Sequence, residues 1–152
     1  MVAVEREFRE VRASLAYRYG VENALNRVSI EPGDAWIGLV ATGFTYYQMM
    51  EALRRLGFHD ERALESSGIR VLHLRMPVPF DKALVERFAR DLDEVVVVEE
   101  KNPTLEWLIK DALYASADRP TVVGKTDDTG AELMRSWGRL DADAIIDRKS
   151  VV

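Results

Sequence analysis

Val95-Val96-Val97-Val98-Glu99-Glu100-Lys101-Asn102-Pro103 is the stretch that decides the fold. Four β-branched residues in succession read as a strand buried on both faces. Such a strand needs helices above and below it, which means a parallel α/β sheet. Two carboxylates and a lysine leave the strand at its carboxyl end. Asn102 then reads as an N-cap and Pro103 as the first helical residue, where its missing N–H costs nothing. In open α/β sheets, ligands and partners meet the carboxyl ends of the strands. Glu99, Glu100 and Lys101 therefore stand where function is expected.

Outward from this strand the same unit repeats. Ala35 to Ala41 reads as a buried strand, apolar apart from Gly38; Ile69 to Leu74 is a second, and Thr121 to Val123 a short one after the valine run. Thr42-Gly43 breaks the first strand. Tyr46, Met49, Met50, Leu53 and Leu56 follow at helical spacing, and Gly57 closes that helix as a left-handed cap, with Phe58 placed for the accompanying apolar contact. Met76-Pro77-Val78-Pro79-Phe80 leads to Asp81, an N-cap for a helix with Leu84, Val85, Phe88 and Leu92 inward. Leu105, Leu108, Ile109, Ala112 and Leu113 stripe the helix after Pro103. Asp127-Asp128-Thr129-Gly130 is a turn, Leu133 to Leu140 is weakly patterned, and Asp141 caps a last helix through Ile146.

Ahead of the sheet, Val4, Phe8, Val11 and Leu15 recur at helical spacing opposite a Glu/Arg face. Gly20 ends this helix, and Val21 to Asn26 forms a further helical turn. The expectation is a single domain over residues 1–152: a three-layer α/β/α sandwich on a mostly parallel sheet of about five strands. Residues 1–26 are expected as a helical segment packed on it.

Composition bounds the function. At 152 residues the chain has the length of one domain with one sizeable core. A net charge of −5 argues against a nucleic-acid partner, whose phosphates a basic face would have to neutralise. With no cysteines, disulfides, zinc–thiolate sites, cysteine nucleophiles and iron–sulfur ligation are excluded for this chain. The first ten residues hold three glutamates and two arginines, unlike a signal peptide. No apolar run approaches the roughly 18 residues that span a bilayer. A cytoplasmic protein is the expectation, with neither membrane nor nucleic acid among its partners.

Candidate chemistry is sparse. Thr42-Gly43, between a strand and a helix, is the position of an anion-binding turn, where free backbone N–H groups favour phosphate or carboxylate. One glycine falls short of a dinucleotide or P-loop fingerprint, and a plain tight turn competes with it. Glu99 and Glu100 could form an acid–base pair, but alternation along a strand points them to opposite faces. One carboxylate is expected to cap a helix end or meet an arginine, and the other to be solvated. His59 reads as a surface residue and His73 as a hydrogen-bonded structural one. No carboxylate cluster offers a metal site, and no catalytic residue is assigned. Tyr46-Tyr47 and Met49-Met50 place large residues on both sides of one helix, so one pair faces the core and the other is a candidate interface. Trp36, Trp107 and Trp137 read as core or rim residues. Spacing alone describes a binding or docking domain.

Gly38-Leu39-Val40-Ala41-Thr42-Gly43 with Tyr46-Tyr47 and Glu51-Ala52-Leu53, then Ile69 to Leu74, the Met-Pro-Val-Pro loop, Leu92-Asp93-Glu94, the valine run, Glu99-Glu100-Lys101 and Pro103, form one ordered series. Pro120 to Lys125 and Leu140 to Ile145 continue it. Over residues 20 to 147 this order resembles the transketolase C-terminal-like domain of indolepyruvate ferredoxin oxidoreductases, in the 2-oxoacid:ferredoxin oxidoreductase family. The resemblance implies a component of an enzyme that oxidatively decarboxylates aryl pyruvates to acyl-CoA and passes electrons to ferredoxin. It implies thiamine diphosphate, magnesium and iron–sulfur clusters held by other domains, since this chain lacks the Gly-Asp-Gly…Asn diphosphate motif and any cysteine. The partners implied are thiamine-binding domains or subunits, with homo-oligomers a further possibility. The chain alone is expected to be inactive, with Tyr46, Tyr47, Glu99, Glu100 and Lys101 as its interface edge. The rival reading is a small α/β domain binding a CoA-like or phosphate-like anion at Thr42 and Gly43. Phe44 departs from the polar or basic residue that the resemblance leads one to expect beside that turn.

Overall fold

The computed structural model describes residues 1–147. Its strands are β1 (Asn26–Ile30), β2 (Ile37–Thr42), β3 (Ile69–Leu74), β4 (Glu94–Val98) and β5 (Thr121–Val123). Its helices are α1 (Val2–Glu7), α2 (Ala13–Glu22), α3 (Gly43–Arg55), α4 (Glu61–Ser66), α5 (Lys82–Phe88), α6 (Thr104–Leu113) and α7 (Ala142–Ile146). A π-helical stretch, Phe8–Arg12, joins α1 to α2.

The strands form one sheet in the order β1-β3-β2-β4-β5. β2, β3, β4 and β5 are parallel, and β1 runs antiparallel to β3 at the edge. This is the mostly parallel α/β sandwich that the valine run called for. Val96 and Val98 enter a core layer with Met49, Leu53, Leu64 and Ile145, from α3, α4 and α7. Val95 and Val97 enter the opposite layer with Val85, Phe88, Ile109 and Leu113, from α5 and α6. All four valines are fully buried, each worth about 1.5–3 kcal/mol of apolar transfer. Gly38 interrupts the apolar run in β2 because a Cβ there would lie 2.7 Å from both Phe88 Cζ and Leu92 Cδ1.

The caps follow the expected residues in three places. Asp81 accepts from the Leu84 N–H at 3.0 Å, and Asp141 accepts from Ala144 at 2.9 Å. At the end of α3, Gly57 has φ +108°, Phe58 N–H donates to Leu53 O, and the Phe58 ring packs on the core. Asp60 caps α4, a short helix not expected from the sequence, through the Ala63 N–H at 2.9 Å.

Three expectations are corrected. Gly20 does not end the first helix: α2 runs to Glu22 and closes at Ala24, whose φ is +47°, with Leu25 N–H donating to Gly20 O and Ala24 N–H to Val21 O. Gly20 is instead buried under Met76, whose Cε would lie 2.1 Å from a Cβ. Second, Asn26 belongs to a strand and not to a helical turn. Its side chain is clamped to Met76 in both directions, Nδ2 to Met76 O and Met76 N–H to Oδ1, each at 2.9 Å. Third, Asn102 does not cap α6, which begins at Thr104 with Pro103 in the cap position. Strand end and helix start approach so closely that Glu99 takes that role.

The N-terminal helix touches the sandwich at its carboxyl end. Tyr17 Oη donates to Asp81 at 3.3 Å, and Gly20 lies under Met76. Val4, Phe8, Val11 and Leu15 remain between 49% and 67% exposed.

Candidate functional site at the carboxyl edge of the sheet

From β2 the chain moves to β3 on one side, then crosses to β4 on the other. The strand order reverses between β2 and β4, the position where open α/β sheets form their ligand crevice. Thr42-Gly43 and Glu99-Glu100-Lys101 leave the sheet on the two sides of that point.

Glu99 is buried there. One of its carboxylate oxygens accepts from Leu105 N–H at 2.8 Å and the other from Glu106 N–H at 2.9 Å, which caps α6. Glu106, also buried, accepts from Lys110 Nζ at 2.6 Å and from the backbone N–H of Lys125 at 2.9 Å. Lys125 Nζ donates to Glu99 O and to Arg135 O. Lys125 O in turn accepts from Leu133 and Met134 N–H. Gly124 is required between them, since a Cβ would fall 2.3 Å from Glu106 Oε2. Desolvation pushes the Glu99 carboxyl above its usual range, against the two backbone N–H donors and Lys125, which hold it down. Desolvation likewise lowers the Lys125 ammonium, against the pull of Glu99, Glu106 and Glu100.

Both carboxylates are thus fully engaged with donors of the fold itself. The group can tie β4, α6 and the segment after β5 together. Sequence reasoning had one carboxylate of the Glu99-Glu100 pair capping a helix, and Glu99 is that one. Its place on the interface edge is corrected: it is turned inward by the N–H groups of α6 and presents no carboxylate to a partner. Glu100 is exposed on the other side and accepts from Leu140 N–H at 2.9 Å. Lys101, exposed with φ +57°, turns the chain into α6.

Across the crevice, Gly43 takes φ +51° at the start of α3, and no side chain caps that helix. Phe44 is exposed, with the Arg139 guanidinium 5.0 Å above its ring. Trp137 is exposed with Arg135 5.1 Å from its ring. Tyr46 stacks flat on His73, with ring centroids 3.7 Å apart, and donates to Ser29 Oγ at 3.1 Å. Tyr47 meets both rings edge-on and is exposed. His73 is buried in an aromatic stack, and no described residue hydrogen-bonds its ring, which corrects the hydrogen-bonded packing expected of it. Burial, then Arg75 and Arg27, hold its pKa below the ordinary value. His59 is on the surface, and all three tryptophans are rim residues.

Sequence reasoning missed Glu106, Lys125 and Gly124. The pairing of Glu106 with Lys110 is local, but its bond to the Lys125 N–H spans 19 residues and left no local signal. Gly124-Lys125 belonged to a quoted motif without a role attached to it.

With this geometry in place, the comparisons decide the family. Residues 27–150 match the model of the indolepyruvate oxidoreductase domain. This chain belongs to that family. It is 33% identical over 112 residues to the indolepyruvate oxidoreductase subunit IorA of Methanothermobacter thermautotrophicus, covering 74% of this chain and 17% of that protein. The IorA subunit of Pyrococcus abyssi is 35% identical over 79 residues, 52% of this chain and 11% of that protein. The chain therefore spans less than a fifth of these curated relatives. Its fold is similar to that of a split-gene transketolase described as an inactive β4 tetramer, with TM-score 0.53 and 24% identity over 81% of this chain and 39% of that one. It is also similar to a 2-oxoglutarate:ferredoxin oxidoreductase from Magnetococcus marinus, with TM-score 0.50 and 17% identity over 86% and 20% of the two chains. The transketolase C-terminal-like sandwich of the indolepyruvate oxidoreductases is the architecture described above.

Proposed function

We propose that this chain is a non-catalytic docking domain of a thiamine-dependent indolepyruvate:ferredoxin oxidoreductase, working against thiamine-binding domains or subunits. One observation carries the reading. At the switch point, the buried ionisable groups are bonded to the fold's own groups, while large apolar side chains stand exposed on α3 and after β5. Phe44 and Tyr47 are exposed on α3, Trp137 is exposed in the segment after β5, and a further apolar stripe runs along the N-terminal helix. Exposed aromatic groups with arginines beside them are what protein interfaces are made of.

The chemistry of the donors points the same way. Thiamine diphosphate with its magnesium, and iron–sulfur clusters, do not suit these residues. Among the described residues no group of three or more His, Cys, Asp or Glu side chains is placed to hold a metal. Glu99 and Glu106 have both oxygens occupied, and the chain has no cysteine. Those groups belong to the remainder of the parent enzyme in this reading.

The test supplies this chain with an aryl pyruvate, coenzyme A, thiamine diphosphate, magnesium and a low-potential electron acceptor. No acceptor reduction is expected. Sedimentation with the thiamine-binding part of the parent enzyme should then give a complex. Turnover by this chain alone, or no complex at tens of micromolar protein (roughly the weak limit of specific docking), overturns the reading.

A further inference from the structure

At the opposite, amino-terminal edge of the sheet, a cleft of about 460 Å³ opens beside the carboxyl end of α5. Arg70, Arg87 and Arg90 line it, together with the carboxylates of Glu31 and Asp91. Arg70 comes from β3 and is only 8% exposed. Its Nη1 donates to Phe88 O and Arg90 O, each at 2.8 Å, which fixes the guanidinium against the last turn of α5. Its Nε is buried without a hydrogen-bond partner, and among the described residues Nη2 has none.

That pattern is specific. Nε is closed off from the cleft, so Nη2 is the donor of this guanidinium left to make a charge-assisted hydrogen bond to a carboxylate or phosphate there. Arginine is almost never this deeply buried unless paired. Here no described carboxylate forms an ion pair with Arg70, Arg87 or Arg90. The carbonyls ending α5 offset part of the charge but leave Nη2 without an acceptor among the described residues. Three guanidiniums outnumber the two carboxylates in the cleft, so its own charge favours an anion. Glu31 and Asp91 restrict that anion to a small one.

We infer that this cleft is an oxyanion site, taking inorganic phosphate or the phosphate of a small monoester on the free Nη2 of Arg70, with Arg87 and Arg90 completing the charge. The site is on the far side of the sheet from the switch-point crevice and independent of the docking reading.

The test titrates inorganic phosphate into the 152-residue chain, with sodium chloride at matched ionic strength as control, and follows melting temperature and ³¹P line width. Phosphate should raise the melting temperature saturably and broaden its own resonance. Arg87→Ala with Arg90→Ala replaces two exposed side chains outside the core, so this variant should fold and bind phosphate about tenfold or more weakly, as expected for losing charge-assisted contacts. Arg70→Lys keeps the charge but loses the planar group that places Nη2 in the cleft and should weaken binding similarly. A response matched by chloride, or unchanged in the folded double variant, overturns the proposal.

Discussion

Glu106 and Gly124 share one space. The Glu106 carboxylate lies where the side chain of residue 124 would begin, 2.3 Å from an ideal Cβ. Such a clash is cheap when a flexible side chain can swing away. Glu106 cannot, because it is buried and held by Lys110 on one oxygen and by the Lys125 N–H on the other. Gly124→Ala should therefore destabilise the domain by about 1–3 kcal/mol, through overpacking and a broken buried hydrogen bond. Urea unfolding checks this. A loss under about 0.5 kcal/mol, the range of neutral surface changes, would show that the carboxylate can relocate.

Glu99 ties its strand to α6, and its removal tests that role. Glu99→Ala leaves the Leu105 and Glu106 N–H groups without acceptors and should cost about 2–3 kcal/mol. Glu99→Gln keeps one acceptor oxygen and should cost less. The two variants also separate in pH. Desolvation raises the folded pKa of Glu99 above its unfolded value. A raised pKa contributes stability that is complete below the unfolded value, near 4.5, and is lost as pH rises through the folded value. Unfolding free energies measured from pH 4 upward should show that decline in the parent protein and not in Glu99→Gln. Identical pH slopes would mean that the carboxyl is not perturbed by burial.

These two residues also show what was legible in advance. The valine run has no polar interruption, so it could only be a strand covered on both faces, and the parallel sheet followed from it. Caps at Gly57, Asp81 and Asp141 depend on neighbours within five residues and were readable for that reason. β1 was not, because an antiparallel edge strand needs only one apolar face and Arg27 and Ser29 broke the pattern. The bonding of Glu106 to Lys125 was equally invisible. It is a long-range contact made when α6 and β5 converge, and nothing near Glu106 distinguishes it from a solvated helix charge. The helix-capping alternative for the Glu99-Glu100 pair was readable, but which glutamate would serve depended on how sharply the chain turns at Lys101.

His73 offers a titration of its own. Burial is the largest reason its pKa is lowered, with Arg75 and Arg27 next. A depressed folded pKa contributes stability present above the unfolded value, 6.5, and lost as pH falls through the folded value. The parent protein should lose stability just below pH 6.5, and His73→Phe, which keeps a ring against Tyr46, should not. Arg75→Ala removes an exposed cation and should move the His73 titration upward, as read from its imidazole proton shifts. An unmoved titration would leave burial and Arg27 as the causes.

The apolar stripe of the N-terminal helix provides the last test. Phe8 and Val11 are exposed on the π-helical stretch, distant from the Tyr17 and Gly20 contacts that join the helix to the sandwich. Among the described residues both side chains stand exposed, so Phe8→Ser with Val11→Ser should leave the unfolding free energy within about 0.5 kcal/mol of the parent, as for surface positions. If the proposed docking reading holds, the same change removes two large side chains from the docking face and should weaken sedimentation as a complex with the thiamine-binding part of the proposed parent enzyme. Alanine scans give about 1 kcal/mol or more only for the anchors of an interface, so an unchanged affinity would remove this stripe from the docking surface. A stability loss above about 1 kcal/mol, the size expected of a partly buried apolar group, would instead place the stripe against the chain's own core.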